Sequence, residues 1–142
     1  MAITQAVCNS FKKELLDGVH DLASGGDAFK LSLYTSQATI NAATTSFTTG
    51  NEVSASGQYA SGGSQLQSQQ TSVASGVAIV DFADLSFTGV TLTARGALIY
   101  NDTDGDKAVC ALDFGGDKTA TAGTFTIQFP AFTTSAPILR IS

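Results

Sequence analysis

The densest group of chemically capable side chains is Asn101-Asp102-Thr103-Asp104-Gly105-Asp106. Carboxylates at alternate positions, Asp102, Asp104 and Asp106, could offer hard oxygen ligands to a calcium ion. The spacing departs from that of a calcium-binding loop. The glycine falls between the second and third acids, and no glutamate closes the run at the required distance. The same residues form a strong hairpin signal, because Asp104-Gly105 tolerates positive φ between Tyr100 and Lys107. A hairpin tip is the favoured reading. Asp102, Asp104 and Asp106 remain candidates only for an opportunistic cation site, and no resident metal or cofactor is expected.

His20 is the sole histidine. Acid–base or nucleophilic work needs a partner within hydrogen-bond reach and a third group to orient it. Asp17 and Asp21 are near in sequence, but at a helix end they read as solvated charges. Cys8 and Cys110 stand in apolar contexts, far apart and without a basic cluster to stabilise a thiolate. Buried free thiols are expected, and their spacing is not that of a metal site. Asp113 and Asp117 could pair as carboxylates, yet the intervening Gly115-Gly116 reads as a strand-ending turn. Gly115-Gly116-Asp117-Lys118 lacks the longer glycine spacing of a phosphate-binding loop. No catalytic residue emerges, and the chain is not read as an enzyme.

The elements that would carry these residues are mostly strands. Phe29, Leu31 and Leu33 alternate with Lys30, Ser32 and Tyr34; Val90, Leu92 and Ala94 alternate with Thr91, Thr93 and Arg95. Ala108, Cys110, Leu112 and Phe114 share one face, as do Phe125, Ile127 and Phe129. A period of two with one apolar face predicts half-buried antiparallel strands. Strands are expected at 77–82, 85–87, 90–94, 97–100, 107–114, 123–129 and 138–141, so that 90–130 holds three strands joined by turns. One amphipathic helix is predicted over about residues 4–17. Ile3, Val7, Phe11 and Leu15 form its stripe, with Thr4 capping the start and Gly18 ending it. That stripe packs on the chain's own sheet or on a neighbouring subunit. Many short strands with frequent turns give the expected fold: mainly β, an antiparallel sandwich or barrel-like domain with one N-terminal helix.

Composition bounds the rest. A chain of 142 residues is expected to form a single domain, 1–142, with its β-rich body over about 28–142. From Gln37 to Ser75 the pattern weakens, with short strands conceivable at 52–54 and 57–60. Residues 65–73 are polar, and the region 37–75 reads as loops or a polar arm ordered through partners. Charged residues make up only 13% of the chain, and Ser, Thr, Gly and Ala take their place. A charge-poor, hydroxyl-rich surface suits β-strands and also suits burial in an assembly. The net charge of −5, with only Lys12-Lys13 as an adjacent basic pair, argues against nucleic-acid binding. No secretory signal is legible and no run approaches the ~20 apolar residues of a membrane span. Arg95 and Arg140 stand in apolar or hydroxyl-bearing strands, where each must find solvent or an acidic partner. With the arm glutamines Gln65, Gln67, Gln69 and Gln70, they are the candidate interface residues.

Several stretches carry a family likeness. Met1-Ala2-Ile3-Thr4-Gln5-Ala6-Val7-Cys8 with Ser10-Phe11-Lys12, Phe29-Lys30-Leu31 with Leu33-Tyr34-Thr35-Ser36, and Asn51-Glu52-Val53 belong to it. So do Phe82-Ala83-Asp84, Ala94-Arg95-Gly96-Ala97-Leu98-Ile99-Tyr100-Asn101, Leu112-Asp113-Phe114-Gly115 and Gly123-Thr124-Phe125-Thr126-Ile127-Gln128-Phe129-Pro130. In order and extent these resemble small virion structural proteins of tailed bacteriophages, particularly those infecting cyanobacteria and other aquatic bacteria. The likeness is weakest between Ser54 and Val80. It implies a head decoration (cement) protein made in the host cytoplasm. Such a protein acts on the head surface, binding the major capsid protein and itself as a homodimer or homotrimer. A tail or head–tail component (tube, terminator or fibre-associated) and a receptor- or carbohydrate-binding module are the alternatives.

Overall fold

The computed structural model describes residues 2–129 and 139–141. Along the chain lie β1 (Ala6–Val7), α1 (Asn9–Leu16), β2 (Phe29–Tyr34), β3 (Ser64–Gln65), β4 (Gln70–Ala74), β5 (Val77–Asp81), β6 (Leu85–Asn101), β7 (Lys107–Ile127) and β8 (Leu139–Ile141). One sheet has the order β1-β7-β6-β2-β3 and a second β4-β5-β8. Every strand pairing is antiparallel. The architecture is mainly β with one short helix near the N-terminus, consistent with the expected sandwich or barrel-like domain.

Strands expected as separate pieces are continuous. The three stretches within 85–100 form the single strand β6, and those at 107–114 and 123–127 merge into β7. The region read as three strands is therefore one long hairpin over its described part, and Pro130 and Ile138 lie outside the described residues. The residues taken for turns are bulges. Thr88-Gly89 is accommodated between the pairs Phe87↔Phe125 and Val90↔Gly123, with Gly89 at φ +64°. Gly115-Gly116 is no strand-ending turn. The ladder steps from Ala94↔Lys118 to Gly96↔Asp113, so Phe114–Asp117 loop out of register with Gly115 at φ +81°. Glycine at a positive φ lets a strand take an extra residue without breaking off. Burial also departs from simple alternation. Ala97–Tyr100 and Ala108–Ala111 are buried in succession, because Ile3, Cys8 and Phe11 and the β2–β3 connection cover the sheet's centre.

The helix is shorter than predicted. Residues 3–8 are extended: Ile3 bridges Ile40, Val7 pairs with Cys110, and the Cys8 N–H donates to the Val109 carbonyl at 2.9 Å. Positions four apart lie on one side of a helix, and on one side of a strand as well, so Ile3 and Val7 fit both states. Cys8, not Thr4, is the N-cap, and its side chain makes no capping bond. The C-terminal end follows expectation. Gly18, at φ +77°, donates to Leu15 O while Val19 N donates to Glu14 O, a Schellman closure. Phe11 is the buried anchor of α1, whereas Leu16 points to solvent.

The weakly patterned region is largely folded. Ala38, Ile40, Val53, Tyr59 and Leu66 are all buried, and the strands conceived at 52–54 and 57–60 are only the bridges Tyr34↔Glu52 and Ser56↔Tyr59. Gly63 presses onto β2 so closely that a Cβ would lie 1.7 Å from the Leu31 carbonyl oxygen. What remains arm-like is the β4–β5 hairpin, in which Gln70–Ala74 are exposed throughout. If Phe11 anchors the helix to its own sheet, Phe11→Ala should cost about 3–5 kcal/mol of unfolding free energy in a urea titration. An unchanged midpoint would assign the side chain to an intermolecular contact.

Candidate functional site

His20 is the residue whose surroundings differ most from expectation. Its side chain is fully buried, between the rings of Phe11, with centroids 4.7 Å apart, and Phe29 at 6.3 Å. Its partner is Glu14, with Oε1 2.9 Å from Nε2, and not Asp17, which pairs with Lys13 on the exposed helix face. The Asn101 amide nitrogen approaches Nδ1 at 2.9 Å. Asn101 Oδ1 accepts from the Thr103 and Asp104 N–H groups, which fixes the amide with its Nδ2 toward the imidazole. Nδ1 must therefore accept, and Nε2 donates to Glu14. Asn101 Nδ2 also faces Asp27 Oδ2 at 2.9 Å and Asp104 Oδ2 at 3.4 Å. Asn101 thus joins the 18–28 loop to the hairpin tip, and His20 carries the link on to Glu14 of the helix.

Electrostatics within this cluster favour an ionised Asp27. Desolvation pushes its carboxyl up, but the Asp21 N–H, the Asn101 amide and a hydrogen bond with Asp104 outweigh it. The net effect is a carboxyl held below its ordinary value. Asp104 turns inward while Asp102 is exposed, so the alternating acids of the tip do not converge. Among the described residues no three imidazole, thiolate or carboxylate groups are placed to hold a metal. The tip itself is a hairpin as expected, with positive φ at Gly105 and Asp106 and not at the predicted Asp104.

A second hub is built within the β2–β3 connection. Glu52 Oε2 accepts from the Tyr59 hydroxyl and the Gly62 N–H, both at 2.7 Å, while Oε1 accepts from Ser61. The Leu33 N–H donates to the Tyr59 oxygen at 2.8 Å, and Tyr34 and Tyr100 donate to the Thr48 and Gly62 carbonyls. Burial raises all three phenols, with the Glu52 carboxylate a further cause at each. Cys8 and Cys110 are free and buried. Burial, with Glu14 adding, lifts the Cys8 thiol from 9.0 to about 11. Cys110 is pushed higher still, by burial and then by Cys8. Such thiols are poor nucleophiles at neutral pH.

The interface candidates take different places. Arg95 lies 3.5 Å from Asp113 across the large bulge, both side chains partly exposed. Asp113 also accepts from Gly115 N–H, and Asp117 stays exposed. Arg140 pairs through its backbone with Ile79; its side chain lies outside the described residues. Gln69 donates to the Ala23 and Asp27 carbonyls, both at 2.9 Å, and so fastens the base of the hairpin to the 18–28 loop. Gln65, Gln67 and Gln70 are exposed. The apolar surface that sequence reading missed is formed by Leu16 and Val73, 90% and 70% exposed. Leu16 borders a groove of about 490 Å³ between α1 and the small sheet, walled by Phe11, Leu15, Val80 and Leu139. Among the described residues no helix is long and apolar enough to cross a membrane. No family model, curated protein or solved structure matches the chain.

Two outcomes follow from this geometry. Asn101→Ala strands buried or partly buried partners on two segments, the 18–28 loop and the hairpin tip, and should cost at least about 2 kcal/mol in denaturant unfolding. A smaller loss would mean that water replaces the amide. Alkaline stability tests the thiols. The unfolded chain sheds its thiol protons near pH ~8.5, whereas folded Cys8 keeps its proton to about 11. Where the unfolded state binds fewer protons, stability falls as pH rises. Unfolding free energy should therefore decline from pH ~9 upward, and Cys8→Ala should remove part of that slope; an identical slope in the variant would clear Cys8 of the effect.

Proposed function

We propose that the chain is a structural protein of a phage virion, in first place a head decoration protein that binds between capsomers. The observation that carries this reading is where the reactive groups have gone. His20, Glu14, Asp27 and Asn101 are bonded to one another inside the fold, Glu52 and the tyrosines likewise, and both thiols are buried. Besides scattered charges such as Lys13, Asp17 and Lys118, the molecule offers outward apolar and hydroxyl-bearing groups: Leu16, Val73 and the threonines of β7. A surface of that kind works by contact. The acidic balance fits an outward-facing protein with no need to touch packaged DNA.

The family likeness supplies the setting, and linkage supplies the mechanism. A protein that binds only the assembled shell stabilises it by mass action, and each bound copy adds to the effect. The major capsid protein is the partner on this reading, with further copies of the chain beside it. The tyrosines that could have formed a stacking platform for sugars are buried within the body, which counts against the carbohydrate-binding alternative.

Purified heads lacking tails test the proposal. They should carry the chain in many copies, and stripping it should lower the temperature at which the heads release DNA. Finding it on complete particles and never on tailless heads would make it a tail component instead. Val73→Lys should keep the unfolding midpoint of the free protein and weaken its binding to stripped heads. Unchanged occupancy would remove the β4 face from the contact.

A further inference from the structure

The outer edge of β7, away from β6, has two unlike halves. Around the Phe114–Asp117 bulge it is irregular, and the exposed side chains of Asp117 and Lys118 border it. Charges and a four-residue loop-out of this kind keep a strand edge from recruiting another strand. From Thr119 to Ile127 there is neither charge nor proline. Beyond this edge no strand lies among the described residues, since β1 reaches β7 only at Cys110 and Ala111.

This second half is self-complementary. Thr119, Thr121, Thr124 and Thr126 are exposed, while Ala120, Phe125 and Ile127 are buried. The change of parity between Thr121 and Thr124 comes from the one-residue bulge between Val90↔Gly123 and Leu92↔Ala120, where Ala122 has φ +46°. Facing residues of antiparallel strands share a side of the sheet. A two-fold axis between Ala122 and Gly123 satisfies that rule at each of these positions. It sets Thr119 against Thr126 of the second copy, Thr121 against its Thr124, and Ala120 against its Phe125, small against large. The outer hydroxyls are already committed within the protomer, Thr119 to Thr93 at 2.8 Å and Thr126 to Ser86 at 3.0 Å. The hydroxyls of Thr121 and Thr124 make no such bond among the described residues, and this rotation brings them together. A hollow of about 390 Å³ lines the same edge, with Lys118 and Thr119 on one side of the axis and Thr124–Ile127 on the other.

We infer that two copies of the chain associate through antiparallel pairing of Thr119–Thr126, joining their five-stranded sheets across an isologous seam. The pairing stands independently of the virion reading. Its test is the mass of the purified full chain by light scattering across a wide concentration range, with two double variants. Thr121→Glu with Thr124→Glu places like charges opposite each other twice across the axis, and should give single chains. Thr121→Glu with Thr124→Lys places opposite charges there, and should keep the dimer. Both sites are exposed, and circular dichroism checks that each variant is folded. In the wild type, amide exchange between Thr119 and Thr126 should quicken on dilution. A wild type of one chain mass at every concentration, equal masses for the two variants, or exchange indifferent to dilution would each overturn the seam.

Discussion

Pairing between β6 and β7 is the constraint on which the rest of the molecule depends. Each other element of the large sheet attaches to that ladder or through it: β2 to the inner half of β6, β1 to Ala111 and Cys110 of β7, and β3 to β2. So long a ribbon would twist out of shape if it were regular. Four register shifts break it into shorter runs, and each relieves the strand at a cost of one or more unpaired residues. The inner run is covered on both faces and forms the core, whereas the outer run keeps its hydroxyl face in water.

The buried polar groups serve the same ladder. At its closed end Asn101 caps the turn with its carbonyl oxygen and reaches His20 and Asp27 with its amide. A polar cluster inside a protein is stabilising only when nearly every lone pair and proton is matched, and this one is matched by residues from three separate segments. That explains why a lone histidine, an Asx turn and an ordinary helix glutamate belong to one structure. Within the cluster the imidazole is fully buried and both of its nitrogens are bonded to protein groups.

Much of the fold was legible because alternation reports directly on strands. The strand over 29–34, the hairpin tip after Tyr100 and the Gly18 helix stop all follow from local signals. Three things were not legible, each for a physical reason. Gly115-Gly116 signals a bend, and a bulge and a turn use the same backbone conformation. Ile3 and Val7 recur at a spacing that suits helix and strand alike, and the free edge of β7 decided between them. Glu14, Asn101 and Asp27 are scattered along the chain, and only the completed hairpin brings them to His20. The region 37–66 looked polar because its anchors are single buried residues, Ile40, Val53, Tyr59 and Leu66, separated by turn residues with no period. Of the interface candidates, Gln69 illustrates the limit. Its composition suggests a surface arm, yet its amide is consumed by two loop carbonyls.

The contrast within β7 bears on what kind of surface this is. One half of its outer edge carries a four-residue loop-out, an aspartate and a lysine; the other carries only a one-residue bulge at Ala122 among uncharged residues over a similar length. If the free edge were simply tolerated, protection concentrated beside it would be hard to account for, because an unguarded strand of this composition is prone to indiscriminate pairing. On the proposed pairing, guarding one half limits the edge to a single register, since Phe114–Asp117 cannot continue a ladder begun at Thr121. On the same proposal the absence of charge from Thr119 to Ile127 has a specific use. It leaves backbone groups and threonine hydroxyls as the means of recognition, which are directional and short in reach, and so favour a fitted neighbour over a merely attractive one.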